Sequence, residues 1–445
     1  MDRPVRIALA LGVLATTFVP PSGVVRADEP SPLEQRAEMI VRQILATDGA
    51  RGTKPGIVVA RGADRLAARN PTDPFLPASL QKLATTTSAL LRFGPAHRFT
   101  TSVRVSAKRL DGSVGRLVLV GGGDPTLATA AFRNRYLTRR DGMRKDERIF
   151  PSGSPTIGGI ARAIVDAGIT RVRGNLLADD WLFDRERTQV GWKSSYLDRS
   201  TGGPHVGLIS ALVINQGFAD LGKTRLAKSP ALFAARKLRD ALAARGVEVD
   251  GDVVYRTAPD DAVEVLGVQS PPLAEIVGWI NRWSVNGASE LLLKGMGAAF
   301  AGEGSTDAGR RVVRGALRSI GVDLTGFRLE DGSGLSRADR MTPRMIAQIL
   351  RWALSSDQDP AVTLRRSLAV ACRAGTLLYR MCDTRADGNL RGKTALITDV
   401  RGMAGWVRGI DGRRTIYVAI FNRAEDEDAL TSTLNLLGRR LARFP

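Results

Sequence analysis

Two side chains at the start of an expected helix, a hydroxyl and an amine, could together perform acyl transfer. In "LPASLQKLATT" (76–86), Ser79 precedes Lys82 by three positions, a spacing that places both side chains on one face of a helix. A lysine whose pKa is lowered by burial or by a neighbouring cation can take the proton of a serine hydroxyl. Chance alone predicts roughly 0.6 Ser-x-x-Lys pairs for 25 serines and 10 lysines, so this pair needs further support.

Two later stretches, "SVN" and "GKTA", carry groups that would complete such a site. Ser284 could relay a proton and Asn286 could orient a peptide bond, although both residues are also good helix N-caps. Lys393 and Thr394 could hold a terminal carboxylate, although a lysine there could equally protect an edge strand from aggregation.

If the three stretches meet in space, they predict one acyl-serine site. Ser79 would be the nucleophile and Lys82 its base, with Lys393 as a neighbouring cation that lowers the pKa of Lys82. Ser284 would pass the proton to the leaving amine. The backbone N–H groups of Ser79 and Leu396 would form the oxyanion hole, which needs donors rather than particular side chains.

Hydrophobic periodicity predicts an α/β (α+β) fold in which an antiparallel sheet is flanked by helices and split by an inserted mixed α/β region. One domain is predicted in two segments, residues 28–100 and 266–445, with residues 101–265 inserted between them. A basic loop at 139–148 is expected to be exposed and mobile. Helices are predicted at 31–50, 79–94, 231–246, 271–300 (two, hinged near residue 284) and 430–444, and strands at 56–62, 98–107, 116–122, 392–400, 402–410 and 414–422.

The N-terminus has the pattern of a secretory signal peptide over residues 1–27, with Arg3 and Arg6 before an apolar run and a small-residue cleavage site after Ala27. No later stretch reaches the ~18 apolar residues that a membrane helix needs. The expected location is therefore outside the cytoplasm, in the cell wall or periplasmic space.

The chain is strongly basic, with a formal net charge of +20 that becomes +18 without residues 1–27. Such a charge favours anionic wall polymers or a membrane surface as partners, and export argues against nucleic acid. Alternatively, an arginine-rich composition places arginine on every solvated face.

Cys372 and Cys382 are the only cysteines, and in an oxidising compartment they would form one disulfide, with two buried free thiols as the alternative. With only His97 and His205 besides, neither a zinc site nor a histidine-based triad is expected, and no metal or cofactor is predicted.

Longer motifs around these residues resemble the D-alanyl-D-alanine carboxypeptidase/endopeptidase family, the low-molecular-mass class C penicillin-binding proteins. The resemblance covers almost the whole mature chain, and its motifs are "FLPASLQKL", "GRLVLVGGGDPTL", "LEDGSGLSRADRMTP", "AGTLLYRM" and "GKTALITDVRGMAGWV". It implies a transpeptidase-like domain with insertions between the first two motifs. It also implies serine-type cleavage of D-alanine-terminated peptidoglycan stem peptides, as carboxypeptidase or endopeptidase, and binding of β-lactam antibiotics.

The third motif departs from that family, which normally has Lys-Thr-Gly-Thr where this chain has Lys393, Thr394, Ala395 and Leu396. Glycine lets a substrate lie closely against a strand. If the Ala395 methyl points into the cleft, it hinders the substrate, and if it points away, little is lost. The alternative function is therefore a catalytically impaired wall-associated protein. A β-lactamase is less favoured, because no glutamate stands in a Glu-x-x-Leu-Asn pattern.

Overall fold

The computed structural model describes residues 29–137, 150–198 and 204–445. The predicted signal peptide (1–27) and basic loop (139–148) lie outside the described residues. Within the described ranges, no helix is both long enough and apolar enough to cross a membrane.

Helices begin where the sequence supplies caps. Ser31 and Glu34 form a reciprocal capping box before the first helix, and Thr342 caps a later one with Pro343 at its first position. The helices are α1 Pro32–Leu45, α2 Gln81–Phe93, α3 Ala130–Leu137, α4 Ile157–Asp166, α5 Pro230–Ala243, α6 Leu273–Trp283, α7 Asn286–Ala301, α8 Thr306–Ser319, α9 Pro343–Ser355, α10 Asp359–Ser367 and α11 Glu427–Leu441.

Strands fall into two larger sheets and one small one. They are β1 Lys54–Arg61, β2 Asp64–Arg69, β3 Thr100–Ser106, β4 Ser113–Val114, β5 Arg116–Val120, β6 Arg171–Val172, β7 Leu176–Asp179, β8 Glu248–Val249, β9 Val253–Tyr255, β10 Val263–Gln269, β11 Ala369–Val370, β12 Arg391–Ile397, β13 Val400–Arg408 and β14 Arg414–Asn422.

The six-stranded sheet is antiparallel throughout, in the order β11-β12-β13-β14-β1-β2, and helices cover both faces. Because neighbouring residues of a strand point to opposite faces, Val58 and Val418 enter one apolar core with α2 and α9. Ile57 and Tyr417 enter the other core, with α1 and α11. This architecture confirms the predicted fold class.

The last helix packs on this sheet as its leucine pattern predicted. The apolar stripe of α11 and the residues after it is almost fully buried, in the same core as Tyr417. Its members are Leu430, Leu434, Leu437, Leu441 and Phe444.

A five-stranded mixed sheet, in the order β10-β3-β5-β7-β9, is built from strands between Thr100 and Gln269. A small parallel sheet, β4-β6-β8, lies in the same part of the chain, and α4 and α5 share its apolar core. This is the segment predicted as an insertion at 101–265, a division that stays a prediction.

Candidate active site

Ser79 lies in a single 3-10 turn, Ala78–Leu80, immediately before α2 rather than inside the predicted helix. Ala78 adopts φ 45°, a left-handed conformation that is costly for a residue with a Cβ. Gly334 packs against this turn so closely that a Cβ at position 334 would stand 1.9 Å from the Ala78 carbonyl oxygen. Lys82 lies in the first turn of α2, three residues after Ser79, and the two side chains are within hydrogen-bond distance.

The Lys82 amine is fully buried and donates to three acceptors from three parts of the chain. Its Nζ lies 3.0 Å from Ser79 Oγ, 2.7 Å from Asn286 Oδ1 and 2.6 Å from the Ser333 carbonyl oxygen. Three acceptors account for all three protons of an ammonium group, so the amine is held in one position.

Burial lowers the pKa of Lys82 to about 8, against the opposing charges of Asp331, Glu290 and Asp339. Of the two causes expected from the sequence, burial lowers the pKa of Lys82, whereas the charge of Lys393 is not among the causes. The pKa of Lys393 is held well below its ordinary value, first by burial and then by the charge of Lys82.

Ser284 ends α6 in a left-handed conformation, with φ 60°, and its hydroxyl accepts from Lys393 Nζ at 2.9 Å. The N-cap interpretation of "SVN" is wrong, because Val285 is the N-cap residue of α7 and no side chain caps that end. The edge-strand interpretation of Lys393 is also wrong, because its side chain is fully buried and donates to the Thr394 carbonyl at 2.8 Å as well.

Asn286 opens α7 and holds two groups together. Its Oδ1 accepts from Lys82, and its Nδ2 donates to the His205 carbonyl oxygen at 2.9 Å. The amide is therefore fixed in orientation at the mouth of the site.

A cleft of about 750 Å³ opens over these groups. Ser79, Ser284, Asn286, Thr394 and Leu396 line it, whereas the Lys82 and Lys393 side chains are buried beneath it. On one side of β12, β11 pairs only with the first two residues of the strand. Among the described residues, no strand pairs with the rest of that side, so it is a free edge. An extended peptide could add to that edge.

The third-motif departures differ in their placement. Ala395 is only 2% exposed and pairs across the sheet with Gly402, where a Cβ would lie 3.4 Å from the Ala395 methyl and 3.3 Å from Leu80. Ala395 therefore lines the cleft, but its methyl is packed against the neighbouring strand and only a small fraction of the residue is exposed there. Leu396 is 65% exposed, so its side chain does meet whatever enters.

Two buried carboxylates behind Lys82 were not predicted as site residues. Asp331 accepts from the backbone N–H groups of residues 333, 334 and 336 and from Trp192 Nε1 at 2.8 Å. Glu290 accepts from Gly332 N at 3.0 Å, and burial raises its pKa. Both shape the loop whose Ser333 carbonyl holds Lys82. The motif "DGSG" and the four-residue spacing from Asn286 to Glu290 were the available signals.

One wall of the cleft is the loop closed by the Cys372–Cys382 disulfide, which confirms the predicted pairing. Thr376 in this loop accepts a hydrogen bond from the Thr394 hydroxyl at 2.7 Å. Among the described residues, no group of three or more histidine, cysteine, aspartate or glutamate side chains could hold a metal ion.

The antiparallel sheet, with a Ser-x-x-Lys turn facing the free edge of β12, defines the penicillin-binding protein class of fold. The chain belongs to the D-Ala-D-Ala carboxypeptidase 3 (S13) family, whose model matches residues 40–225 and 214–439.

Similar proteins agree with this assignment. A D-alanyl-D-alanine carboxypeptidase from Actinomadura sp. is 29% identical over 477 residues, covering 90% of this chain and 83% of its own. Carboxypeptidase DacB from Mycolicibacterium smegmatis is 29% identical over 378 residues, covering 82% of this chain and 76% of its own. Penicillin-binding protein 4 from Haemophilus influenzae shares the fold, with a TM-score of 0.74 at 19% identity over 90% of this chain and 98% of that one.

Proposed function

We propose that the protein is an extracytoplasmic serine-type D-Ala-D-Ala carboxypeptidase that acts on peptidoglycan stem peptides through an acyl-serine intermediate and is acylated by β-lactams. The observation that carries this proposal is the 3.0 Å contact between Ser79 Oγ and the buried Lys82 amine at the floor of an open cleft. A buried amine with a pKa of about 8 is partly neutral near pH 7, and only the neutral form can take a proton.

In the proposed reaction, neutral Lys82 takes the hydroxyl proton as Ser79 Oγ bonds to the carbonyl carbon of the penultimate D-alanine. The backbone N–H groups of Ser79 and Leu396, two residues of the cleft wall, would stabilise the oxyanion. The C–N bond then breaks, and the amine of the terminal D-alanine takes a proton passed on through Ser284. Water hydrolyses the ester and regenerates Ser79.

For the substrate's position, we propose that the peptide extends β12 along its free edge, with Asn286 bonded to its backbone. Thr394, which lines the cleft and is bonded to Thr376, would meet the terminal carboxylate. Lys393 would contribute through Ser284, to which it is bonded from below. A longer peptide could follow the same edge, so cleavage of cross-links is the second activity to assay.

The second candidate function is the impaired, wall-associated protein. The exposed Leu396 side chain in the cleft is the observation in its favour. The buried Ala395 methyl counts against it, because that group leaves the strand's substrate edge open.

The test is covalent labelling with a fluorescent penicillin together with release of D-alanine from a peptide that ends in D-Ala-D-Ala. We expect the wild type to give both signals and Ser79→Ala to give neither. Ser88→Ala, on the same helix and also buried, is the matched control and should retain both. Absence of an adduct on wild type after long exposure would contradict the proposal.

A further inference from the structure

A second concave surface lies apart from the catalytic cleft and is lined by arginine. Two cavities of about 810 and 210 Å³ adjoin along α9, beside the β1–β2 and β13–β14 turns. They share residues such as Gly62, Gln348 and Arg351, and neither shares a lining residue with the cleft. We name this surface the arginine groove, after its seven arginines: Arg61, Arg65, Arg344, Arg351, Arg408, Arg413 and Arg414.

The positive charge of the groove is largely uncompensated. Among the described residues that line the two cavities, none is acidic. Asp411 pairs with Arg61 at 2.9 Å, and Asp323 pairs with Arg344 at 3.5 Å. Asp411 also lies near Arg413. Among the described residues, no carboxylate forms an ion pair with the remaining four arginines, which are Arg65, Arg351, Arg408 and Arg414.

Two of these arginines are held against each other. Arg408 and Arg414 stand directly opposite in the β13–β14 pair, where like charges are destabilising. The pKa of Arg414 is lowered by burial and then by the charges of Arg408 and Arg365. A bound anion would relieve this repulsion, and so the groove gains stability from an acidic ligand.

The walls of the larger cavity also carry apolar side chains. Trp352, Leu354, Ile320 and Ile416 lie among the arginines of the larger cavity. Guanidinium groups bind phosphate oxygens bidentately, which suits a ligand that carries several phosphates. Five of the seven arginines are exposed, whereas Arg61, which is paired with Asp411, is only 12% exposed. The unpaired charge therefore lies along the open side of the groove.

We propose that the arginine groove binds a phosphodiester-linked polyol chain, an anionic polymer of the cell-wall kind. An extended chain can place successive phosphates against arginines from α9 and from both turns. Such binding would hold the enzyme on the wall while the catalytic cleft remains free. The proposal does not depend on the catalytic function.

The test is fluorescence anisotropy of a labelled glycerol phosphate oligomer with the whole protein at several salt concentrations. Arg351→Gln combined with Arg408→Gln should weaken binding about tenfold and make its salt dependence shallower, because phosphate contacts are lost. The matched control is Arg36→Gln with Arg42→Gln, two exposed arginines of α1 on the other face of the sheet. We expect the control pair to change binding less than about twofold.

Equal weakening by both pairs would overturn the proposal, because it would show attraction by net charge alone. Loss of binding to phosphatidylglycerol vesicles without loss of oligomer binding would also overturn it, in favour of a membrane. Penicillin acylation, measured on the same proteins, should be unchanged in both pairs, which separates this outcome from failure of the catalytic proposal. If the double variant unfolds at a lower temperature than the wild type, the single variant Arg351→Gln is used in its place.

Discussion

The lysine amine beneath Ser79 sets the pH dependence expected of the enzyme. Burial lowers the pKa of Lys82 to about 8, and the reaction needs its neutral form. Acylation by penicillin G should therefore rise with pH and level off above about 8, falling roughly tenfold per pH unit on the acid side. Stopped-flow acylation rates across this range measure the profile, and a rate that is flat down to pH 6 would contradict the role of Lys82.

Glu290→Gln extends this prediction to a positioning residue. Glutamine keeps an acceptor for Gly332 N but cannot ionise. Because burial raises the pKa of Glu290 to about 8, its carboxyl is mostly neutral below that pH, and the acid side of the acylation profile should stay in place. The other charged groups facing Lys82 are Asp331, Asp339 and Lys393, and they are unchanged in this variant. A shift of the acid side to lower pH by a full unit would contradict this and show that Glu290 is ionised beside Lys82.

The third-motif variant Ala395→Gly with Leu396→Thr distinguishes the two candidate functions. Because the Ala395 methyl is only slightly exposed at the cleft and the Leu396 side chain is exposed, acylation should change less than about threefold. A gain above about tenfold would support the impaired alternative. Leu396→Thr alone is the control, since an exposed substitution changes the free energy of unfolding by about 0.5 kcal/mol or less.

For individual residues, the sequence predicted which side chains lie together in the site but not which groups surround them. The structure brings Ser79, Lys82, Ser284, Asn286 and Lys393 together, and their roles stay predictions. The carboxylates of Asp331 and Glu290 were not predicted, because acidic residues are common and only the folded chain shows which of them are buried behind the lysine.

At the scale of elements, β12 and β13 pack closely where two small residues, Ala395 and Gly402, stand opposite each other. A Cβ on the glycine would lie 3.1 Å from the Ala419 carbonyl oxygen, 3.3 Å from the side chain of Leu80, the residue after the nucleophile, and 3.4 Å from the Ala395 methyl. Gly402→Ala should therefore lower the free energy of unfolding by about 1–3 kcal/mol and slow acylation. Denaturant unfolding measures the first effect and penicillin labelling the second.

A double variant checks the physical reason. In Ala395→Gly, the methyl that opposes position 402 is absent, so adding Gly402→Ala should cost less than it does in wild type. Equal costs in both backgrounds would show that Ala395 does not limit the space.

The predicted helices and strands around the site are present, because capping residues and apolar periods are local. The exceptions lie at tertiary contacts. Ala78 is left-handed in the 3-10 turn that carries Ser79, and this turn packs against Gly334, a contact that the sequence does not show. For the same reason the sequence could not show that Val285, and not Ser284, precedes α7.

At the scale of the whole molecule, the segment predicted as an insertion contributes to the catalytic loops. Trp192 Nε1 donates to buried Asp331, the His205 carbonyl accepts from Asn286, and Asp184 pairs with the buried Lys294 of α7. Sequence reasoning placed this segment between two motifs but gave no contact for it, since such contacts join residues about 80 to 140 positions apart.

Trp192→Phe tests whether these contacts matter for the site. It removes one hydrogen bond from a buried carboxylate and keeps an aromatic ring, so the expected loss in the free energy of unfolding is about 1–3 kcal/mol. Acylation should slow as well, because Asp331 shapes the loop that holds Lys82. Trp181→Phe, an exposed tryptophan in the same segment, is the control, and equal effects would contradict the prediction.

The order of strands in the large sheet has a consequence for biosynthesis. β1 lies between β2 and β14, and Lys54 pairs with Asn422, 368 residues further along the chain. An apolar strand therefore lacks one of its two neighbours until β14 has been synthesised. Pairing over such a distance is slow, and a strand that waits is open to aggregation. Unfolded chains of this protein are therefore expected to be prone to aggregation, and chains that stop before β14 cannot complete the large sheet.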